Sequence, residues 1–336
     1  MSPLDVQDVQ RLRQALQAAG RVLLTGPVDI DGDSVGACLA LARLVEALGP
    51  ARVDVAGLPG GRYADLPGAD RMLDPIAVAA SYDVAVVLDG DCRRLAPGVQ
   101  SAWSACPFRV VVDHHQSTTP DGYELALINH EAGSTCQMVE ELRRAWGLPM
   151  DPVFARLVYV GIVYDTGGFC HANTNAETFR LAADLLEQGV DHTAIVVRTI
   201  WERRRQGVLL LGRVLEGASW HAGGRLVVGT LSVELMEEIG AELMDLDRIV
   251  DVLLYVEGVQ VAVLAVERRR NAGREVKLSL RSRGEVDVCQ LAWRLDENGG
   301  GHRRAAGVVL PGRLQDVVGG LTPVLEDAVV CALANP

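Results

Sequence analysis

A chain of 336 residues that is 49% hydrophobic and 23% charged has the make-up of a globular protein with room for two domains. It contains no uninterrupted apolar run of about 18 residues, so no membrane-spanning helix is expected. The net charge of −12 argues against a long basic groove for duplex nucleic acid, and the seven scattered cysteines, without a Cys-x-x-Cys pair, argue against a zinc knuckle or a disulfide framework and suit reduced thiols in the cytoplasm.

The first segment, through Gly20, is charged and helix-like and lacks the apolar core of a signal peptide. "RVLLTG" (21–26) then reads as a buried strand, followed by a helical pattern over 34–48. A short helical pattern near 64–79 precedes "YDVAVVLDGD" (82–91), and "FRVVVDHH" (108–115) is a third apolar run. Hydrophobicity that is continuous rather than alternating suits strands of a parallel sheet covered on both faces. A helical pattern follows at 134–146, "DPVFARLVYVGIVYDTGGF" (151–169) reads as a buried helix, and "AETFRLAADLLEQGV" as an amphipathic helix ending at Gly189. Residues 195–218 read as one long helix with a basic middle, a connector between an N-terminal α/β domain (1–194) and a smaller C-terminal α/β domain (219–336). In the latter, 224–232, 256–269 and 275–283 read as strands, 232–240 and 244–254 as helices, and the tail from Gly312 as a final helix.

Chemistry concentrates where strands end. Asp29, Asp31 and Asp33 alternate just after the first strand, Asp89 and Asp91 follow the second, Asp113, His114 and His115 follow the third, and Asp165 precedes a Gly-Gly pair. Each such Asp, taken singly, is most simply a helix cap or turn residue. In an open parallel sheet, however, the carboxyl ends of strands converge on one crevice. Like charges about 4 Å apart cost roughly 4 kcal/mol per pair at an effective dielectric near 20. Carboxylates mixed with imidazole, without thiolate, suit Mn²⁺ or a similar octahedral cation, whose charge removes that cost. A second motif, "NGGGHRRAAG" (298–307), has glycines for close backbone approach and His302, Arg303 and Arg304 for an anion; a glycine turn at a strand–helix junction is the equal alternative.

"DGDSVGA", "VDHH", "GSTCQMVEEL", "DTGGF" and "GGGHRRAAG", in this order, resemble the DHH superfamily of phosphoesterases with the DHH-associated C-terminal domain, in particular its nanoRNase/pAp phosphatase and cyclic-di-AMP/pApA hydrolase members. The resemblance runs from about residue 15 to 312. It implies two Mn²⁺ per chain, with Mg²⁺ or Co²⁺ as substitutes, and hydrolysis of short oligoribonucleotides, linear dinucleotides such as pApA, or pAp. Residue by residue it implies Asp31, Asp33, Asp89, His114 and Asp165 as metal ligands, with Asp89 bridging and Asp91 as the secondary candidate. His115 would face the substrate phosphate, Asp113 would orient a histidine from behind, and Gly300, Gly301, His302, Arg303 and Arg304 would grip the nucleotide end. A homodimer is expected by the same analogy. The chain departs from the pattern at Pro27, where the family places a histidine ligand; Asp29 is the neighbour with the chemistry to replace it. If it does not, the alternative is a nucleotide-binding regulatory protein with a weakened metal site.

Overall fold

In the computed structural model, which describes residues 4–270 and 273–334, the chain divides into Met1–Glu202 and Arg203–Pro336. The apolar runs of the first unit form a five-stranded sheet. Helix α1 (Val6–Ala18) leads into β1 (Arg21–Thr25), α2 (Gly32–Leu48), β2 (Arg52–Ala56), β3 (Val84–Leu88), α3 (Pro97–Ala105), β4 (Phe108–Asp113) and β5 (Leu125–Ile128). All pairings are parallel, in the order β2-β1-β3-β4-β5. Successive residues of each strand alternate between two buried faces. Val22, Leu24, Val86, Val110 and Val112 pack towards α1, α2 and the later helices α4 (Thr135–Trp146) and α5 (Pro152–Asp165). Leu23, Ala85, Val87 and Val111 pack towards Trp103 and its neighbours on α3. The chain leaves β1 towards β2 on one side and reaches β3 on the other, so the switch point of the topology, where open sheets bind ligands, lies between the carboxyl ends of β1 and β3.

α6 (Ala176–Glu187) and α7 (His192–Val196) complete this unit. Two expected elements differ. The segment 64–79 is not one helix but turns with short 3₁₀ pieces at Ala69–Arg71 and Pro75–Ala77, because Pro67, Gly68 (φ 90°) and Pro75 break the ladder. The helix expected over 195–218 is interrupted. A π-type turn at Val197–Trp201 ends in extended backbone at Glu202 and Arg204, and a new helix, α8 (Arg205–Glu216), begins. The Arg62 guanidinium donates to the carbonyls of Thr199 and Glu202, taking over acceptors a continuing helix would have used.

In the second unit, β6 (Ser219–His221), β7 (Leu226–Leu231), α9 (Val233–Ile239), α10 (Ile249–Leu254), β8 (Val261–Arg270), β9 (Gly273–Ser282), α11 (Val288–Leu295), β10 (Gly300–His302), β11 (Ala305–Pro311) and α12 (Leu314–Ala334) follow α8. The six-stranded sheet runs β10-β11-β9-β8-β7-β6 and is antiparallel except for β7 with β8. One face packs on α11 and α12, the other on α8 and α10, giving two further apolar cores. The expected helix at 244–254 is a 3₁₀ turn and then α10, separated by Arg248 in the left-handed region. The glycine motif is neither a nest nor a strand–helix turn but a β-hairpin. Gly300–His302 pairs with Ala305–Gly307, and a Cβ on Gly301 (φ 137°) would lie 2.4 Å from the Ala305 carbonyl oxygen.

Candidate metal centre

The site begins with how each acid is turned. Asp31 caps α2; its Oδ1 accepts from the backbone N–H groups of Asp33 (3.0 Å) and Ser34 (3.1 Å). Asp33, one residue into that helix, is fully buried and reaches the first turn of α4, accepting from the N–H groups of Thr135 (2.6 Å) and Cys136 (3.0 Å). There is room for it because residue 161 on α5 is glycine. A Cβ there would lie 2.4 Å from Asp33 Oδ1 and 2.3 Å from Cys136 Sγ. Asp89 directly follows β3 with φ 61°, a left-handed conformation that costs a non-glycine residue roughly 1–2 kcal/mol. This twist turns its carboxylate to Ser34 Oγ (2.6 Å) and Thr135 Oγ1 (3.2 Å), both of which donate to it. Asp91 is spent otherwise: it caps its own 3₁₀ turn through Arg93 N–H (2.8 Å) and pairs with the Arg93 guanidinium (2.5 Å).

His114 is buried, and its Nδ1 donates to the carbonyl of Ala132 (3.1 Å). Its other nitrogen, Nε2, faces Asp89 (3.6 Å) and Asp165 (3.5 Å). Tying one imidazole nitrogen to a carbonyl fixes the ring and leaves the other for a cation. Asp165 closes α5, and its Oδ2 accepts from Asn173 Nδ2 (2.9 Å). Asp113, fully buried, serves the histidine pair: Oδ1 accepts from His114 N–H (2.8 Å) and from His115 Nδ1 (2.7 Å), while Oδ2 accepts from the Thr118 hydroxyl. Ligand atoms of Asp33, Asp89 and His114 lie within 4.8 Å of one another, as do those of Asp89, Asp113 and His115.

The electrostatics are those of a negative cluster. Burial and then the neighbouring Asp89 charge push the Asp31 carboxyl up to about 8. The same two causes lift Asp33 well above the ordinary range, and burial does most to raise Asp165. Burial also opposes ionisation of Asp89, but hydrogen bonding to His114 and the charges of both histidines hold it well below the usual carboxylate value. Burial opposes a charge on His115 too, yet Asp113 lifts it to about 9. Hard oxygen donors with one fixed imidazole nitrogen, crowded so that two of the carboxyls most opposed to ionisation flank Asp89, are a donor set suited to divalent cations.

Of the other anticipated residues, Asp29 is exposed in the loop after β1 and belongs to neither converging group. Pro27 is buried against Gly90, where a Cβ would lie 3.4 Å from the proline ring. In the second unit, Arg303 pairs with Glu285 (3.1 Å) and Arg304 is exposed at the hairpin turn. Ser34, Thr118, Thr135 and Asn173 were not singled out from the sequence. Ser34 and Thr135 lie inside motifs that were, whereas Thr118 and Asn173 carry no local signal.

The N-terminal domain of the DHH family matches residues 21–162, and the DHHA1 domain matches 223–328. The chain is 36% identical over 294 residues to the "Bifunctional oligoribonuclease and PAP phosphatase NrnA" of Thermus thermophilus, covering 87% of this chain and 85% of that protein. A protein of the same name from Bacillus subtilis is 28% identical over 199 residues, covering 58% of this chain and 60% of that one. Among solved structures, an exopolyphosphatase-related protein from Bacteroides fragilis superposes with a TM-score of 0.83 at 21% identity, covering 98% and 97% of the two chains, a likeness of fold. The fold is that of a phosphoesterase, and the chain belongs to the DHH family. It is accordingly a hydrolase of phosphate esters, and the regulatory, non-enzymatic alternative is not favoured.

Proposed function

We propose that this phosphoesterase hydrolyses short oligoribonucleotides, linear dinucleotides such as pApA, and pAp, using two divalent cations per chain, manganese first among them. The observation that carries the reading is His114, tied at Nδ1 to Ala132 and presenting Nε2 between Asp89 and Asp165. Asp31, Asp33, Asp89, His114 and Asp165 would hold the cations, Asp89 being turned towards Ser34, Thr135 and His114 by its left-handed backbone. Bound cations supply Lewis-acid chemistry: they lower the pKa of water and offset charge on phosphoryl oxygens.

The chain's own groups do the rest. Asp113 fixes the His115 ring through Nδ1, and Nε2 is the nitrogen that would donate to a phosphoryl or leaving oxygen. The hairpin at Gly300, Gly301, His302, Arg303 and Arg304 binds the substrate, with Arg304 better placed than the Glu285-paired Arg303 to hold a phosphate. Asp29 is not assigned to the cations; its exposed position supports a role at the rim, and Pro27 leaves the set without a histidine at that point. The names of the Thermus and Bacillus relatives support the substrate classes. The homodimer and the cytoplasmic setting rest on analogy and on reduced cysteines, and sedimentation of the same preparation tests the former.

The test is turnover of pApA, a pentaribonucleotide and pAp by chelator-stripped protein with added Mn²⁺, Mg²⁺ or Co²⁺, alongside metal analysis. Turnover with Mn²⁺, and a loss of at least about 10³-fold together with lower metal content in His114→Ala, is the expected result. A metal-loaded protein that turns over none of the three overturns the reading.

A further inference from the structure

The second unit carries a helix-on-strand ladder that the reading above does not use. Arg281 and Arg283 lie two residues apart at the end of β9, and Asp251 and Tyr255 lie four apart at the end of α10, where side chains share one helical face. The first rung is an ion pair, Arg281 Nε to Asp251 Oδ1 at 3.1 Å. The second is the Arg283 guanidinium over the Tyr255 ring, 4.8 Å from its centroid. The first rung is largely out of solvent, whereas Tyr255 is 51% exposed.

The backbone around the second rung is pinned. Arg283 N–H donates to the Gln260 carbonyl (2.7 Å), and Ser282 N–H to that of Arg304 (3.0 Å), which brings the β10–β11 turn alongside. Charge is left over here. Arg281 is matched by Asp251 and Arg303 by Glu285, but among the described residues neither Arg283 nor Arg304 forms an ion pair with a carboxylate. Arg283 over an exposed aromatic ring, with Arg304 on the hairpin turn whose backbone bonds Ser282, forms a local anion-attracting surface in a chain of net charge −12.

We infer that Tyr255 and Arg283 form a base-stacking platform for single-stranded RNA, with Arg304 taking a phosphate of the same strand. A guanidinium held over a tyrosine ring is planar, weakly hydrated and cationic, and it adds to the stacking surface. Stacking of bases on such surfaces is tolerant of sequence, because every base has a π-face. The platform serves nucleotides of an oligoribonucleotide beyond the one being hydrolysed, and it therefore deepens the oligoribonuclease part of the proposed function and rests on it.

Fluorescence anisotropy of a labelled pentaribonucleotide, measured in EDTA, tests it, with a pentamer carrying abasic sites as the control. Tyr255→Ala weakens binding of the pentamer about 10-fold, within the range for loss of one stacked base. Tyr255→Trp binds at least as well as the unaltered chain, Arg283→Lys loses part of the affinity, and the abasic pentamer binds Tyr255→Ala and the unaltered chain alike. With metal restored, kcat and KM for pAp stay within twofold in Tyr255→Ala. Unchanged pentamer binding in Tyr255→Ala, or equal weakening on the abasic strand, overturns the platform while leaving the proposed function standing. Failure of the unaltered chain to turn over any substrate overturns the function through a separate assay.

Discussion

Asp113 makes more hydrogen bonds than any other acid of the centre, and its partners are the two histidines and Thr118. Its two oxygens bind the His114 and His115 backbone, the His115 ring and the Thr118 hydroxyl, so that one carboxylate sets the position of both histidines. Asp113→Asn keeps the volume but presents an amide to a ring nitrogen that needs an acceptor. The expected outcome is a fall in kcat of about 10²–10⁴-fold with KM changed only a few-fold and metal content retained, measured by steady-state kinetics and metal analysis. A large loss of metal instead would place Asp113 among the ligands. At this scale the sequence is legible where a residue type and its position at a strand end coincide, as for Asp89 and His114. It is not legible for Asp89 against Asp91, which share the same Asp-Gly-Asp stretch. Backbone conformation decides between them: a left-handed φ turns Asp89 inward, and a 3₁₀ turn uses up Asp91.

The helices matter for what they bring close. α2, α4 and α5 pack tightly enough at Gly36 and Gly161 for Asp33 to cross from one helix to the N-terminus of another. α4 also bears a liability. Both carboxylate oxygens of Glu141 are out of solvent, and burial pushes this carboxyl up to about 7 from 4.5. A folded-state pKa above the unfolded value means that the protonated form is favoured by folding. The contribution is full below about pH 4.5 and is lost as pH rises through 7. Glu141→Gln should therefore match the unaltered chain in stability near pH 5 and exceed it at pH 8. The gain expected in urea unfolding is about 1–2 kcal/mol, reduced from the full shift because the residue keeps some solvent contact. Equal differences at both pH values would refute the assignment. Periodicity made α4 and α6 readable, since each presents apolar residues at helical spacing, whereas α5 was readable as a long apolar run, buried on nearly every face. The interruption after α7 was not readable, because its cause is Arg62, more than 130 residues away in sequence.

Across the whole molecule, every residue proposed to hold a cation belongs to the first unit, and each unit has its own apolar cores. A ligand that binds one folded body stabilises that body alone, by about 2.7 kcal/mol at a hundred times its Kd. Calorimetry should resolve two transitions, with Mn²⁺ raising one by about 5–10 °C and leaving the other in place. Equal movement of both would mean that the units unfold as one. The α/β class of both units and the parallel sense of β1, β3 and β4 were open to reading from apolar runs alone, whereas the short outer strands β2 and β5, which carry no such run, and hence the strand order, were not. The mixed sheet of the second unit was less open to reading, because β10 is only three residues long in a glycine-rich stretch and β11 takes its place in the sheet by pairing with β9, across the intervening α11.

The division at Glu202 and Arg203 has a bearing on descent. Residues proposed to bind cations and residues proposed to recognise RNA sit on separate compact units, so substitutions in one seldom unsettle the packing of the other. A lineage can therefore retune which nucleotides it accepts by drift around Tyr255, Arg283 and Arg304, while the acids and histidines stay under an unrelated set of constraints.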